Sequence, residues 1–177
     1  MKKLALILSL FMGVNASAGL LLEPYAGYAI GNSEYADGSD KADVTGLSYG
    51  GRIGWTLPFV FFALDYSIGN TDFKYDDGSK IKSEHTTMAA VAGVNLKIVR
   101  LWAGYIFDTE AEDKDGTLKF EGNGMKAGIG FKPLPVIPLS FNLEYGLHEY
   151  DKANGLTLGS NLETKVLLLS VSAPFNL

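Results

Sequence analysis

Residues 139–148 read LSFNLEYGLH, and their strict alternation decides the fold. Leu139, Phe141, Leu143, Tyr145 and Leu147 share one parity; Ser140, Asn142, Glu144, Gly146 and His148 share the other. A β-strand sends successive side chains to opposite faces. The segment is therefore a strand with one apolar face and one small or polar face. Three more segments divide in the same way. Phe62, Leu64, Tyr66 and Ile68 alternate with Ala63, Asp65 and Ser67. Leu47, Tyr49, Ile53 and Trp55 alternate with Ser48, Gly50, Arg52 and Gly54, and Met125, Ala127, Ile129 and Phe131 with Lys126, Gly128 and Gly130.

Working outward, the chain repeats. Asp37-Gly38, Asp77-Gly78, Asp115-Gly116 and Asn154-Gly155 recur with their glycines 40, 38 and 39 residues apart. The stretches PYAGYAIG, FALDYSIG, LWAGYIFD and NLEYGLHE centre on Tyr28, Tyr66, Tyr105 and Tyr145, at spacings of 38, 39 and 40. Two features with one period mark a structural repeat. Each Tyr strand is followed by a polar loop with its Asx-Gly tip, then by a return strand: GLSYGGRIGWT, TMAAVAGVNL, GMKAGIGF and KVLLLSVSAPF. Leu57-Pro58-Phe59, Lys97-Ile98-Val99 and the longer Pro133–Pro138 segment join each return strand to the next Tyr strand. Four hairpins give eight antiparallel strands of about ten residues, the length that spans a tilted bilayer crossing.

The N-terminus, MKKLALILSLFMGVNASAG, has two lysines, an apolar run and the small triplet Ala16-Ser17-Ala18. This is the pattern of a secretory signal peptide, with cleavage expected after Ala18 and a mature domain over residues 19–177. Removing it takes Lys2 and Lys3 from the 15 basic groups, leaving 13 against 20 acidic ones, a formal charge of −7. A negative chain lacks the basic footprint of a nucleic-acid binder. Cysteine is absent, which excludes disulfides and thiol chemistry. After the signal there is no apolar run long enough for a transmembrane helix. Yet 47% of the residues are hydrophobic, with nine tyrosines and ten phenylalanines.

Eight strands with one apolar face could close in two ways. A soluble barrel turns the apolar face inward around a ligand. A membrane barrel turns it outward, against lipid. The interior of an eight-stranded barrel is narrow, so the Gly, Ala and Ser parity belongs inside and the Phe, Leu and Tyr parity outside. Closure then becomes obligatory, because an open sheet edge would leave amides unpaired in hydrocarbon. The expected fold is all-β: an eight-stranded antiparallel up-and-down transmembrane β-barrel.

On this pattern, and on its ending VLLLSVSAPFNL, the chain resembles the small eight-stranded outer-membrane barrels of the OmpA-like and OmpX-like kind. The resemblance covers essentially all of the mature chain and implies the outer membrane of a Gram-negative bacterium. It also implies contact with membrane lipid and lipopolysaccharide. Members usually end on an aromatic residue; here Asn176 and Leu177 follow Phe175, and Pro174 interrupts the last strand. The peptidoglycan-anchoring role of two-domain members is not carried over.

The inward parity carries the charges Glu23, Arg52, Asp65, Arg100, Lys126 and Glu144, together with Asn142. Reflection through the Pro58-Phe59 turn sets Arg52 opposite Asp65; reflection through Pro135 sets Lys126 opposite Glu144. Strands 2–3 and 6–7 lie half a barrel apart, so the two pairs should meet across the lumen. Buried charges must be paired. Glu23, Arg52, Asp65, Lys126 and Glu144 are therefore expected to form a lumen network that closes the pore. The alternative is a narrow ion or solute path gated by it. On the outward parity, Met88, Ala90, Ala92, Val94, Ala103 and Ala127 form an unusually small-residue wall. Small residues allow close approach of two backbones. This face is the candidate site for self-association, and a ring of such apolar cylinders would enclose lipid.

Residues 113–122, DKDGTLKFEG, resemble a calcium loop. With Asp113 and Asp115 at ligand positions 3 and 5 and Gly116 at 6, positions 1 and 12 fall on Ala111 and Gly122, which lack the needed oxygens. The stretch is expected to be a hairpin tip. A sharper possibility is weak divalent-ion bridging between acidic loops and lipopolysaccharide phosphates. His85 reads as a loop residue and His148 as a polar lumen residue. Nothing near either in sequence supplies a Ser–His–acid set, so a lipid-modifying enzyme is the third reading, and no catalytic residue, metal site or cofactor is expected.

Overall fold

The computed structural model describes residues 18–36, 41–75, 78–134 and 137–177. The expected signal segment up to Ser17, the first two loop tips at Asp37-Gly38 and Asp77, and the pivot Pro135 lie outside the described residues.

Eight long strands form one sheet: β1 Gly19–Tyr35, β2 Lys41–Thr56, β3 Val60–Tyr75, β4 Lys80–Asn95, β5 Val99–Asp113, β6 Lys119–Phe131, β7 Ser140–Ala153 and β8 Leu156–Ser172. Each pairs antiparallel with its sequence neighbours, and β1 pairs with both β2 and β8, so the barrel is closed. Strands of 13 to 17 residues exceed the ten expected. A tilted crossing needs about 9–11 residues. The surplus carries the barrel wall past the hydrocarbon at the long-loop end.

Pro174 does interrupt the last strand. It has no amide proton to give the ladder. Pairing resumes at β9, Phe175–Asn176, which lies against Leu22 and Leu21 of β1. Leu177 then exchanges two backbone hydrogen bonds of 2.9 Å with Leu20, and the C-terminus is sewn into the short-turn end.

Of the described Asx-Gly tips, Asp115-Gly116 lies in a five-residue connection between Asp113 and Lys119 with only Gly116 at positive φ, 68°, while the fourth tip is a tight turn. Asn154 and Gly155 both have positive φ, 49° and 77°, and join Ala153 directly to Leu156 in a two-residue turn. That geometry is the one Asn-Gly favours between twisted strands.

The outward parity is apolar and exposed along every strand: Leu47, Trp55, Phe62, Leu64, Tyr105, Met125, Ile129, Phe141 and Leu169 all face away from the barrel. Tyr28, Tyr66, Tyr105 and Tyr145, the repeat markers, belong to this wall. The inward parity is less uniformly small than the sequence suggests. Leu21, Phe61, Ala63, Ala89, Val91, Trp102 and Ile106 form an apolar core inside the short-turn half. Glycines make the room. A Cβ on Gly128 would collide with the Trp102 ring, and one on Gly93 would meet Phe61 Cε1 at 2.5 Å. Large and small residues thus share the narrow cross-section, as small barrels require.

Candidate functional site

Six charged side chains converge just above this core. Arg52 on β2 donates through Nε to Asp65 Oδ2 of β3 at 2.7 Å, its in-register partner. It also reaches across the lumen and donates through Nη2 to Glu144 Oε2 of β7 at 2.7 Å. Lys126 Nζ on β6 sits 2.9 Å from Asp65 Oδ2 and 3.1 Å from Glu144 Oε1. Glu23 on β1 accepts both terminal nitrogens of Arg100 on β5, at 2.6 and 2.9 Å, and the Ser172 hydroxyl at 2.7 Å. Three carboxylates face three cations, and none of the six residues is more than 6% exposed.

Neutral groups complete the cluster. Tyr25 OH donates to Asp65 Oδ1 at 2.7 Å, and Trp102 Nε1 donates to Glu144 Oε2 at 2.6 Å. The Arg52 guanidinium lies 4.6 Å from the Trp102 ring centroid and 5.1 Å from that of Tyr25. Arg100 lies 4.8 Å from the Phe61 ring and donates through Nε to Asn95 Oδ1 at 2.9 Å. Flat, weakly hydrated guanidinium groups suit such stacked, forked sites. Among the described residues, the one buried side-chain polar atom without a hydrogen bond is Arg52 Nη1, 3.5 Å from Glu23 Oε1.

The structure brings all five sequence-named residues together, with one register corrected. Lys126 is in register with Gly146, and Glu144 with Gly128, so the expected direct Lys126–Glu144 pairing is a diagonal one. Lys126 has the length to span the difference. Arg100, Tyr25 and Trp102 enter the cluster without having been assigned to it. Arg100 was legible as inward, but its partner Glu23 is 77 positions away and beyond any hairpin reflection.

His85 requires a larger correction. It lies in β4, not in a loop, and points into the lumen. The outward set Met88, Ala90 and Ala92, extended back by period two, would have shown this. His85 Nδ1 meets Tyr150 OH at 2.9 Å, and its Nε2 meets Thr87 Oγ1 at 2.8 Å. His148 Nδ1 meets Thr109 Oγ1 at 3.2 Å, and the two imidazole centroids are 4.8 Å apart, edge to face. The group that orients His85 is thus a phenol. Among the described residues, neither imidazole bonds a carboxylate.

On the outer wall, Ala92 of β4, Ala103 of β5 and Ala127 of β6 stand side by side in register. Phe62 flanks the row on one side and Tyr145 on the other. With neighbouring strands about 4.8 Å apart, the three alanines span roughly 10 Å and the aromatic ridges stand roughly 19 Å apart. A depression of about 840 Å³ takes in the β4–β5 part of this face, lined by Phe62, Ala90, Ala92 and Ala103 with Trp55, Tyr105 and Met125; Ala127 and Tyr145 continue the row beyond it. Met88 and Val94 continue the exposed β4 face at 39% and 37% exposure.

At the third tip, Asp113 takes up its own loop. Its carboxylate accepts the Thr117 hydroxyl at 2.6 Å and the amides of Thr117 and Leu118 at 2.8 and 3.1 Å. The Thr117 hydroxyl, then these amides, hold the Asp113 carboxyl below its ordinary value of 3.8. The tip is therefore supported above that pH and loosens as pH falls through the lower, folded-state value. Asp113→Ala should speed amide exchange at Thr117 and Leu118 while leaving the barrel's unfolding midpoint in place. An unchanged exchange rate would contradict this assignment.

Comparison with known proteins agrees with this architecture. The family model described as "Outer membrane protein beta-barrel domain" matches residues 4–175. No curated protein sequence matches the chain. Among solved structures, Neisserial surface protein A is 18% identical, with 90% of this chain and 99% of that one covered and a TM-score of 0.57. The outer membrane protein OprG from Pseudomonas aeruginosa is 14% identical, covering 90% and 97%, with a TM-score of 0.56. Ail, the attachment invasion locus protein of Yersinia pestis, in complex with the heparin analogue sucrose octasulfate, is 14% identical, covering 89% and 99%, with a TM-score of 0.58. At such identities the likeness is one of fold. The closed sheet, the apolar outer wall and the match along nearly the whole chain give one conclusion: this protein belongs to the outer membrane protein β-barrel domain family.

Proposed function

We propose that the protein is a non-enzymatic structural or surface-interaction element of the outer membrane, its lumen plugged by side chains, which self-associates through the alanine groove into a lipid-enclosing oligomer. The observation that carries this reading is the row Ala92, Ala103 and Ala127, in register between Phe62 and Tyr145, with Ala92 and Ala103 in the lining of the depression. A wall that touches only lipid gains nothing from three adjacent alanines. A neighbouring barrel gains close backbone contact. If a partner meets the groove head-to-tail, with a different side, and the rotation closes, repetition of that contact makes a ring. Such a ring has apolar walls on its inside as well, and membrane lipid or the acyl chains of lipopolysaccharide fill it.

Ala90→Phe with Ala92→Phe fills the groove while keeping the surface apolar. The double variant should fold normally and fall from a discrete multiple to the mass of one barrel by native mass spectrometry. An unchanged assembly would remove this interface.

The ion network supports the plugged lumen. At the level of the network the narrow bore is filled by side chains, paired and bonded across it. In planar bilayers the unmutated protein should show no steady conductance. Arg52→Ala and Lys126→Ala are the variants in which leakage should first appear. Large, steady conductance in the unmutated protein would favour the channel reading instead.

A further inference from the structure

We propose that the long-loop half of the barrel interior is a binding pouch for a small neutral amphiphile, a ring or short aliphatic group carrying one hydroxyl. Two chambers stack above the ion network. The upper one, about 110 Å³, is walled mainly by apolar and aromatic side chains, among them Tyr35, Phe73, Phe120 and Leu162. The lower one, about 60 Å³, is lined on one side by the His85–His148 pair, with Lys126 and Glu144 at its floor. Phe73 and Thr164 line both, so the two adjoin.

The chemistry of the lining selects the ligand class. An apolar chamber of this order takes up benzene-sized molecules, because water inside it finds too few partners. Ser33 and Thr164, whose hydroxyls lie 2.8 Å apart, are buried in its wall and can turn to give or accept one further hydrogen bond. Charge is not invited. The Lys126 ammonium is already held by Asp65 and Glu144, and Asp113 at the rim is held by its own loop. A charged ligand would lose its hydration without gaining a counter-charge. The pouch ends blind on the ion network, so it holds a molecule without passing it on. This site is independent of the outer-wall groove and of whether the protein assembles.

The test is ¹⁹F NMR titration of the mature protein in phospholipid nanodiscs with 4-fluorophenol, against empty nanodiscs. Saturable binding is expected, with a dissociation constant on the order of 1 mM for a probe this small. Ala111→Leu on β5 and Ala42→Leu on β2 narrow the upper chamber from two walls, and each should weaken binding at least tenfold. Two positions guard against one variant failing to fold, which heat-modifiable electrophoresis reports. Uptake that rises linearly and equals that of empty nanodiscs would overturn the proposal. So would saturable binding that neither substitution changes.

Discussion

Arg52→Met will destabilise the barrel by about 3–5 kcal/mol, measured as a shift in equilibrium denaturant unfolding in lipid or detergent. The size follows from what is left behind. Arg52 contacts Asp65, Glu144 and Glu23, all buried. Without it, three buried carboxylates share the bore with Arg100 and Lys126 alone. The loss is therefore the cost of an unbalanced buried charge more than of one hydrogen bond. Adding Asp65→Asn tests that account. It restores two anions to two cations, with Glu23 still on Arg100 and Glu144 still on Lys126. The double variant should recover more than half of the lost stability. A double variant no more stable than Arg52→Met would show that the geometry of the guanidinium, and not the charge count, is what matters.

The second large effect belongs to Trp102. Its side chain is 4% exposed, stacks under Arg52, donates to Glu144 and lies over Gly128. Trp102→Ala should cost about 3–5 kcal/mol, as removal of a large buried ring does. Gly128→Leu should also be damaging, because the new side chain must occupy the space of the ring, and forced overpacking costs about 1–3 kcal/mol or more. Combined, the two changes should compensate in part: the leucine enters the space that the tryptophan leaves. A double-mutant cycle reads the coupling directly. Strict additivity would mean that Trp102 and Gly128 do not share one space.

Much of this was legible in the sequence, and the residues show why. Period-two alternation around Glu144 and Arg52 is a direct imprint of the pleat, and the Asx-Gly tips are an imprint of hairpin geometry. The Arg52–Asp65 pairing followed because a short turn at Leu57–Phe59 leaves the register little freedom. The β6–β7 connection is longer and proline-rich, so Lys126 came out two residues from its expected partner. Register shifts between Ile106 and Thr109, and at Glu121–Gly122 and Tyr150–Lys152, are a second limit. A bulge reverses the parity beyond it. Thr109 and Ala111 thereby turn inward beside His85 and His148, and alternation read straight through Phe107 and Asp108 does not reveal it. Contacts across the bore, such as Arg100 with Glu23, depend on closure of the whole barrel and leave no local trace in the chain.

The central claim is that the working surface is the outer wall, through which barrels assemble around lipid. Native mass spectrometry of the mature protein, extracted in mild detergent, tests it most directly. The account predicts a discrete multiple of the barrel mass that retains lipid. A single barrel mass, free of lipid in every mild detergent, would contradict it and return attention to the loops.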